Sequence, residues 1–328
     1  MAFFWGCNGT ASSGKVITER GDALGTTYTI IYEPGDKITG VKAGIKTVFE
    51  EVNRSMSTYL PESDISRINR GDSTVITDEY FRTVFLQAKE VWRHTGGKFD
   101  PTVGALVNAW GFGPEETLKK VSPQEVDSIL VFTGFDKVSL SGEGRVIKNH
   151  GLVYLDFNAL AKGYTIDLIG RLFDEKGIGN YLIEIGGEIL TKGRNPQTEK
   201  PWRIAIDHPQ QDDERTLIIR LNLTDKAIAT SGNYRKFKTD AETGEQYAHI
   251  IDPETGYPKK SKILSVSVIA GTCMEADAYA TAFMVMDLEA SRKLLPQLPD
   301  LDVYIIYTGE NGELATYSTA GFRKLIIE

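Results

Sequence analysis

An aspartate and a threonine toward the C-terminal end of the chain have the spacing of a metal site. Asp277 and Thr281 follow a β-rich run at residues 263–269 and open an apolar helical pattern. If a helix begins near Met274, both side chains lie on one helix face. A carboxylate and a hydroxyl are the hard oxygen ligands that Mg²⁺ takes together with waters and phosphates, and a helix start favours a nearby anionic phosphate. For this stretch alone, an ordinary helix-start aspartate and an exposed threonine explain the pattern better, so the rest of the chain must decide.

The composition limits the kinds of partner. The 328 residues suffice for one large domain or two, and they carry a net charge of −8 without a Lys/Arg cluster, which argues against nucleic acid as a partner. Two cysteines, Cys7 and Cys273, and four scattered histidines supply neither a disulfide framework nor a zinc-ligand set. No apolar run is long enough to span a bilayer. A polyanionic ligand would therefore need a local site built from a metal or backbone amides.

Residues 1–20 are predicted to be a signal remnant and tether, ahead of a single domain at residues 21–328. Residues 1–6 are apolar and precede Cys7, which resembles the end of a bacterial lipoprotein signal, where the cysteine carries the lipid. The run is short, lacks a basic start and has Trp5 where a small residue is expected, so the alternative is a mis-started N-terminus with a free thiol. The favoured interpretation predicts a lipid-anchored protein outside the cytoplasm that faces the periplasm.

Hydrophobic periodicity predicts an α+β fold with mixed, largely antiparallel sheets and packed helices. The predicted helices cover residues 41–55, 80–92, 123–131 and 164–177, besides the one near Met274. The predicted strands cover residues 25–32, 153–157, 181–185, a run from residue 189, 202–207, 217–223, 227–230, 263–269, 303–307 and a C-terminal segment. Three long irregular segments, 57–70, 96–115 and 231–262, are expected to carry function, because loops of this length in a compact domain usually do.

The sequence does not match common nucleotide-binding motifs in full. Residues 9–16 match most of a phosphate-binding loop, but Val16 cannot supply the Mg²⁺-binding hydroxyl, and no G-x-G-x-x-G follows a strand. Four other segments stand apart from ordinary scaffold, at residues 57–69, 96–113, 155–164 and 230–256. With the Asp277 helix, their order and spacing resemble the FAD:protein FMN transferase family, also called ApbE, from about residue 25 to the end of that helix.

The resemblance implies an ApbE-like, T-fold-related fold and a reaction. Members of the family transfer FMN from FAD to a Thr or Ser hydroxyl of a target flavoprotein, with Mg²⁺, and release AMP. By this resemblance Asp277 and Thr281 are side-chain ligands of Mg²⁺, and Ala159 contributes its backbone carbonyl. Ala280 stands where many relatives have a second acidic residue, which leaves the number and geometry of the metal ions open.

The resemblance also implies an FAD site and a general base. The FAD-binding residues it implies are Leu24, Tyr59, Lys98, Phe99, Asp100, Asp156, Lys162 and Ile251. His249 is the implied general base, since its side chain has the near-neutral pKa that suits this role. Each has an ordinary reading as well: Phe99 as core, Lys162 as a solvated helix-start lysine, and His249 as a core histidine. Asp156, on an apolar run, needs a partner wherever it lies.

Three functions remain open from the sequence. The first is the transferase, with acceptors in subunits of the Na⁺-translocating NADH:quinone reductase or of Rnf-type complexes, as the resemblance implies. The second is a hydrolase that splits FAD to FMN and AMP at the same site. The third is a non-catalytic FAD-binding lipoprotein. Glu184 and Glu188 flank Gly186 and Gly187, a pair that we interpret as serving a tight backbone approach rather than chemistry.

Overall fold

The computed structural model describes residues 16–35, 38–114, 121–207, 217–233, 237–239, 246–259 and 261–327. Cys7 and most of the expected signal remnant lie outside these ranges, so the lipoprotein interpretation stays a prediction. Within them, no helix combines the length and the apolar character needed to cross a membrane.

The described residues form an eight-stranded antiparallel sheet, a three-stranded antiparallel sheet and two short hairpins. The strands are β1 (Ile17–Ala23), β2 (Thr26–Tyr32), β3 (Val138–Leu140), β4 (Val146–Lys148), β5 (Tyr181–Ile185), β6 (Glu188–Lys192), β7 (Trp202–Asp207), β8 (Leu217–Leu223), β9 (Ala227–Gly232), β10 (Phe237–Thr239), β11 (Gln246–Ala248), β12 (Ile263–Ala270), β13 (Asp302–Thr308), β14 (Leu314–Ser318) and β15 (Ile326–Ile327). The large sheet has the order β1-β2-β5-β6-β9-β12-β13-β14, and the small sheet has the order β15-β8-β7. The hairpins are β3-β4 and β10-β11.

Helices pack against the large sheet, most of them on one face. They are α1 (Val41–Met56), α2 (Asp64–Asn69), α3 (Glu79–His94), α4 (Gly104–Ala109), α5 (Pro123–Leu130), α6 (Asn158–Glu175), α7 (Cys273–Val285), α8 (Leu288–Leu294) and α9 (Ala320–Leu325). Strand β13 shows how the layers form. Val303 and Ile305 face the core shared with α3, α6 and α7, whereas Tyr304 and Ile306 face the core shared with the small sheet and α9. Successive strand residues point to opposite faces, so the large sheet lies between two apolar layers. The α+β prediction is confirmed.

Helices α6 and α7 touch backbone to backbone. A Cβ placed on Gly163 of α6 would lie 2.4 Å from the carbonyl oxygen of Cys273 and 2.8 Å from the Cα of Met274. These distances are too short for any side chain, so glycine is required for the approach. The crossing brings the first turns of α6 beside the N-terminal half of α7, where the candidate site lies.

Most predicted elements are confirmed. Helices α1, α3 and α5 match the helices predicted at 41–55, 80–92 and 123–131, and the strands predicted at 181–185, 202–207, 217–223, 227–230, 263–269 and 303–307 are present. Helix α6 begins at Asn158 rather than at Tyr164. Helices α2 and α4 lie within segments predicted to be irregular, since their six residues each are too few to show a helical period. Strand β1 includes residues 17–20, which the sequence pattern assigns to the tether.

The strand predicted at 153–157 is wrong. Val153, Leu155 and Phe157 alternate and are fully buried, as a strand pattern requires. Among the described residues, however, the segment makes one isolated bridge, from Tyr154 to Val103. The backbone of Leu155 instead exchanges two hydrogen bonds of 2.8 Å with the side chain of Asn69. Side chains satisfy the polar groups that a neighbouring strand would otherwise bind.

We predict that Gly163→Ala lowers the free energy of unfolding by about 1–3 kcal/mol, because the new methyl group meets fixed backbone. Helix propensity alone would favour alanine by about 1 kcal/mol. The matched control is Gly44→Ala in α1, where a Cβ would meet the flexible end of Leu172 at 2.8 Å. Urea denaturation of both variants measures the difference; a Gly163→Ala variant as stable as Gly44→Ala would contradict the close crossing.

Candidate active site between α6 and α7

The backbone N–H groups at the N-terminus of α7 donate to acceptors of the same chain. Asp167 of α6 accepts the N–H of Cys273 at Oδ1 (2.7 Å) and the N–H of Met274 at Oδ2 (2.9 Å). Thr272 accepts the N–H of Glu275 with its hydroxyl (3.3 Å) and the N–H of Ala276 with its carbonyl (3.2 Å). The first four N–H groups of a helix are the ones that bind anions. The prediction that this helix start favours a phosphate is therefore wrong, since the chain's own carboxylate takes the place.

Asp277 and Thr281 lie on α7 with the predicted spacing of one helical turn. Asp277 is 4% exposed, and its Oδ2 accepts the N–H of Gly163 at 3.3 Å. In a regular α-helix the N–H of Gly163 donates to the carbonyl of Ala159. The contact with Asp277 therefore ties this carboxylate to the turn that carries Ala159. The Thr281 hydroxyl lies 3.3 Å from the hydroxyl of Ser231 on β9. The three implied Mg²⁺ ligands thus come from two helices that are in direct contact.

Lys162 lies between two buried carboxylates. Its Nζ is 2.7 Å from Oε1 of Glu188 and 3.7 Å from Oδ2 of Asp277. Glu188 is 5% exposed, and its Oε2 has no hydrogen-bond partner among the residues that the structure describes. Lys162 is therefore not a solvated helix-start lysine. Its ammonium group forms a cluster with two carboxylates.

Glu188 is the residue that the sequence interpretation missed. Gly186 and Gly187 do serve a close backbone approach: the N–H of Gly186 donates to the carbonyl of Thr27 (3.0 Å), and a Cβ on Gly186 would lie 2.9 Å from the methyl of Thr26. The turn that they form also delivers Glu188 into the interior. An acidic residue directly before the apolar pair Ile189 and Leu190 was the available signal, because a buried carboxylate needs a partner.

The electrostatics of the cluster show a deficit of positive charge. Burial raises the pKa of Asp277 to about 7, Lys162 opposes the rise, and Glu188 adds to it. Burial lowers the pKa of Lys162, but Asp277 and Glu188 outweigh that effect and the net pKa is higher than usual. One ammonium group does not neutralise two buried carboxylates, so a further cation would be stabilised here.

The donor set suits a hard cation. Across the described parts of the chain, no three His, Cys, Asp or Glu side chains converge on one metal position. The donors present are instead the Asp277 carboxylate, the Thr281 hydroxyl and the Ala159 carbonyl, with the unpartnered oxygen of Glu188 nearby in the same cluster. Mg²⁺ prefers such oxygen donors and keeps waters on its other positions, so one carboxylate ligand is compatible with it.

Asp156 connects α6 to the loop that holds Lys98, Phe99 and Asp100. Its N–H donates to the carbonyl of Pro101 (2.7 Å), and its Oδ1 accepts the N–H of Asn158 (2.7 Å), the first residue of α6. Burial raises the pKa of Asp156, although Asn158 donates two hydrogen bonds to it. The partner that this carboxylate required is therefore the start of α6.

Asp100 and Phe99 shape the same loop. Both oxygens of Asp100 are occupied: Oδ1 accepts from the N–H and hydroxyl of Thr102 (2.8 and 2.5 Å), and Oδ2 accepts the N–H of Phe135 (2.9 Å). Phe99 is 3% exposed and packs in the main core, as its ordinary reading expects. These contacts explain a structural role for both residues, and their contact with FAD stays a prediction.

Lys98 belongs to a second charged group beside His249. Its Nζ contacts Glu254 (2.6 Å) and Asp252 (3.7 Å), and Asp252 also pairs with Lys259 (3.0 Å). Ile251 is buried against α4 and α5 with Leu106 and Val126. The ring of His249 lies 6.4 Å from the ring of Phe112, edge to face. Residues 249–259 and the 98–112 segment therefore pack against each other.

Leu24 and Tyr59 lie on exposed turns. Leu24 has a φ of 53° in the tight turn between β1 and β2, beside an open cavity of about 530 Å³ lined by Asp22, Ala23, Gly25, Thr26 and Thr27. Since Gly186 packs on Thr26, this cavity adjoins the turn that carries Glu188. The Tyr59 side chain, on the loop between α1 and α2, is 60% exposed. Its ring presents a large face to the solvent.

Known proteins share this fold and sequence over nearly the whole chain. A sequence model of the ApbE family matches residues 24–305. A FAD:protein FMN transferase of Haemophilus influenzae is 34% identical over 322 residues, which cover 95% of this chain and 92% of that protein. A second one, of Vibrio cholerae, is 36% identical over 313 residues, which cover 93% of this chain and 91% of that protein.

Solved structures of ApbE proteins have the same fold as this chain. The flavin transferase ApbE from Vibrio cholerae superposes with a TM-score of 0.85 at 34% identity, over 95% of this chain and 99% of that one. The ApbE protein from Thermotoga maritima superposes with a TM-score of 0.83 at 31% identity, over 96% of this chain and all of that one. The fold is thus that of a family of enzymes. The chain belongs to the ApbE family, which confirms the resemblance found in the sequence.

The raised pKa of Asp277 predicts a pH-dependent stability for the metal-free protein. Because the folded chain holds the Asp277 proton more tightly than the unfolded chain, the free energy of unfolding falls as pH rises from about 4 to about 7. Asp277→Asn removes this loss, so the variant should exceed the wild type at pH 8 by on the order of 1–3 kcal/mol. Asp167, whose pKa burial raises to about 6, adds a smaller slope in the same direction to both proteins.

Thermal unfolding between pH 4 and pH 8 in the presence of a chelator measures this difference. Asp127→Asn, at an exposed position of α5, is the matched control and should follow the wild type. A steeper loss of stability in Asp277→Asn than in the wild type would contradict the buried, cation-deficient cluster.

Proposed function

We propose that the protein transfers FMN from FAD to a Thr or Ser hydroxyl of a target flavoprotein and releases AMP. The observation that carries this proposal is the buried cluster of Asp277, Glu188 and Lys162 at the crossing of α6 and α7. Its carboxylates would attract a cation, and its lysine would attract a phosphate. Attack on a pyrophosphate requires both. Family membership supplies the reaction class, since relatives named FAD:protein FMN transferase are up to 36% identical to this chain.

Three residues of the chain would hold Mg²⁺. They are Asp277 and Thr281 with their side chains and Ala159 with its carbonyl, all at the crossing of α6 and α7. Bound there, the ion offsets negative charge on the phosphates of FAD. Glu188 would add negative charge to the site that holds the ion, since Lys162 contacts both Glu188 and Asp277, and this matters because Ala280 offers no second carboxylate.

Lys162 binds and orients the pyrophosphate. Glu188 holds its ammonium group at 2.7 Å, so the charge has a defined position at the first turn of α6. A positive charge at this point stabilises the negative charge that develops as the bond between the two phosphates breaks. The segments 98–112 and 249–259 and the turn at Leu24 then hold the two ends of FAD.

His249 takes the proton of the acceptor hydroxyl. A Thr or Ser hydroxyl is a weak nucleophile, and a base with a near-neutral pKa activates it. The packing of its ring near Phe112 limits how the imidazole can turn. The oxygen attacks the phosphorus on the FMN side, the bond to AMP breaks, and the proton remains on the imidazole. If water takes the place of the hydroxyl, the products are FMN and AMP.

The cellular setting is part of the same proposal. The acceptor is a flavoprotein subunit of a Na⁺-translocating NADH:quinone reductase or of an Rnf-type complex. The enzyme works outside the cytoplasm, held at the membrane by a lipid on Cys7. The exposed ring of Tyr59 and the open cavity beside Leu24 leave space for FAD and an acceptor segment to meet.

Incubation with FAD and Mg²⁺, with and without an acceptor domain, tests the proposal. The account predicts AMP release together with an acceptor whose mass has grown by FMN. AMP with free FMN and an unmodified acceptor would favour the hydrolase. FAD that stays bound and intact in both samples would contradict catalysis and leave a binding protein.

We predict that Asp277→Ala abolishes Mg²⁺-dependent turnover but leaves some FAD binding, because the metal site is lost while the walls of the pocket remain. AMP release and FAD fluorescence measure the two effects. Asp127→Ala, at an exposed position on α5, is the matched control and should retain wild-type turnover. Unchanged turnover in Asp277→Ala would refute the metal assignment.

His249→Ala should slow transfer by about 10²–10⁴-fold while FAD remains bound, since a general base contributes that much. His150→Ala is the matched control: its ring is exposed and stacks on Phe132 at 5.4 Å. Single-turnover measurement of acceptor labelling gives the rates. A His249→Ala rate near that of the wild type would mean that another group takes the proton.

A further inference from the structure

Asp167 ties the start of α7 to α6. The side chain is 7% exposed, and each carboxylate oxygen accepts one backbone N–H, from Cys273 and from Met274. Most helices are capped by a residue of their own chain segment just before the first turn. Here Thr272 fills that role for Glu275, and the first two N–H groups are left to a residue from another helix.

A reciprocal contact lies one turn away. Asp277 of α7 accepts the N–H of Gly163 of α6, whereas Asp167 of α6 accepts N–H groups of α7. Residues 163 and 167 share one face of α6, and 273 and 277 share one face of α7. The two helices are therefore joined by two reciprocal ties at the point where Gly163 meets Cys273 and Met274. Two such ties resist both sliding and rotation.

Sliding or rotation of α7 would act directly on the site. A shift by one residue along a helix is about 1.5 Å and 100°. The Asp277 carboxylate would then no longer meet the turn of Ala159, nor lie beside Lys162. Burial raises the pKa of Asp167 to about 6 against the effect of its two backbone hydrogen bonds, so the charged carboxylate is held in place at a cost in stability.

We infer that Asp167 is a positioning residue: by accepting the first two N–H groups of α7 it sets the place of Asp277 relative to Ala159 and Lys162, and so sets the affinity of the site for a divalent cation. The inference rests on the proposed function in one respect: it assumes that a cation binds at the site. It does not depend on the proposed reaction. Both Asp167 oxygens accept these N–H groups, so the residue acts on the site through α7.

The test is the affinity of the metal-free protein for Mn²⁺ alone, measured by electron paramagnetic resonance without FAD. Asp167→Asn keeps the shape of the side chain but turns one acceptor into a donor that faces an N–H. We expect its Mn²⁺ affinity to fall by about 10–100-fold, the usual effect of losing a residue that orients a metal ligand. Thr272→Ala is the matched control, since it removes a cap from the same helix end without untying α6. It should lower the melting temperature but change Mn²⁺ affinity by less than about twofold.

All proteins are compared below their melting transitions, and Asp167→Ser, which keeps one acceptor, replaces Asp167→Asn if that variant does not fold. Equal Mn²⁺ affinity in the Asp167 variant and the wild type would overturn the inference. An equal loss in Thr272→Ala would also overturn it, because general loosening of the helix end would then explain the effect. A wild type that binds no Mn²⁺ would contradict the cation site itself, and flavin transfer by the same sample would show whether the proposed reaction survives.

Discussion

The close contact between α6 and α7 is the constraint on which the site depends. Gly163 allows the backbones to meet, Asp167 holds the start of α7, and Asp277 returns a hydrogen bond to α6. With the two helices so tied, ligands from both are placed by rigid elements rather than by loops. Sites built on rigid elements are the more exact ones, which suits a reaction in which positioning and charge stabilisation supply most of the catalysis.

The charged cluster at this crossing lowers the stability of the folded protein but would favour the binding of a cation. Two buried carboxylates share one lysine, one carboxylate oxygen has no partner among the described residues, and the pKa of Asp277 is raised to about 7. Buried charge that is incompletely paired destabilises a folded protein. A bound cation would complete the pairing, so the same charges that weaken the metal-free protein would favour the proposed complex. The raised pKa of Asp277 and the proposed metal site thus have one physical cause.

Patterns within single segments were readable from the sequence, whereas contacts between distant segments were not. The periods of α1, α3, α5 and most strands follow from local apolar spacing, and the Asp277–Thr281 pair follows from helical spacing. Asp167 and Glu188 meet their partners across more than 80 and 20 residues of sequence respectively, and no local pattern shows that. Residues 153–157 alternate like a strand because every second residue is buried, yet a side chain binds the backbone of Leu155. The family resemblance implied the proposed ligands of the site but not Asp167 and Glu188.

A crystal of the protein grown with FAD and Mn²⁺ tests the central claim most directly, through the anomalous scattering of the metal. The account predicts an anomalous peak within coordination distance of the Asp277 carboxylate, the Thr281 hydroxyl and the Ala159 carbonyl, with the FAD pyrophosphate against it and near Lys162. A peak beside Lys98, Asp252 and Glu254 with none at the α6–α7 crossing would contradict the account, and so would bound FAD whose pyrophosphate lies away from Lys162.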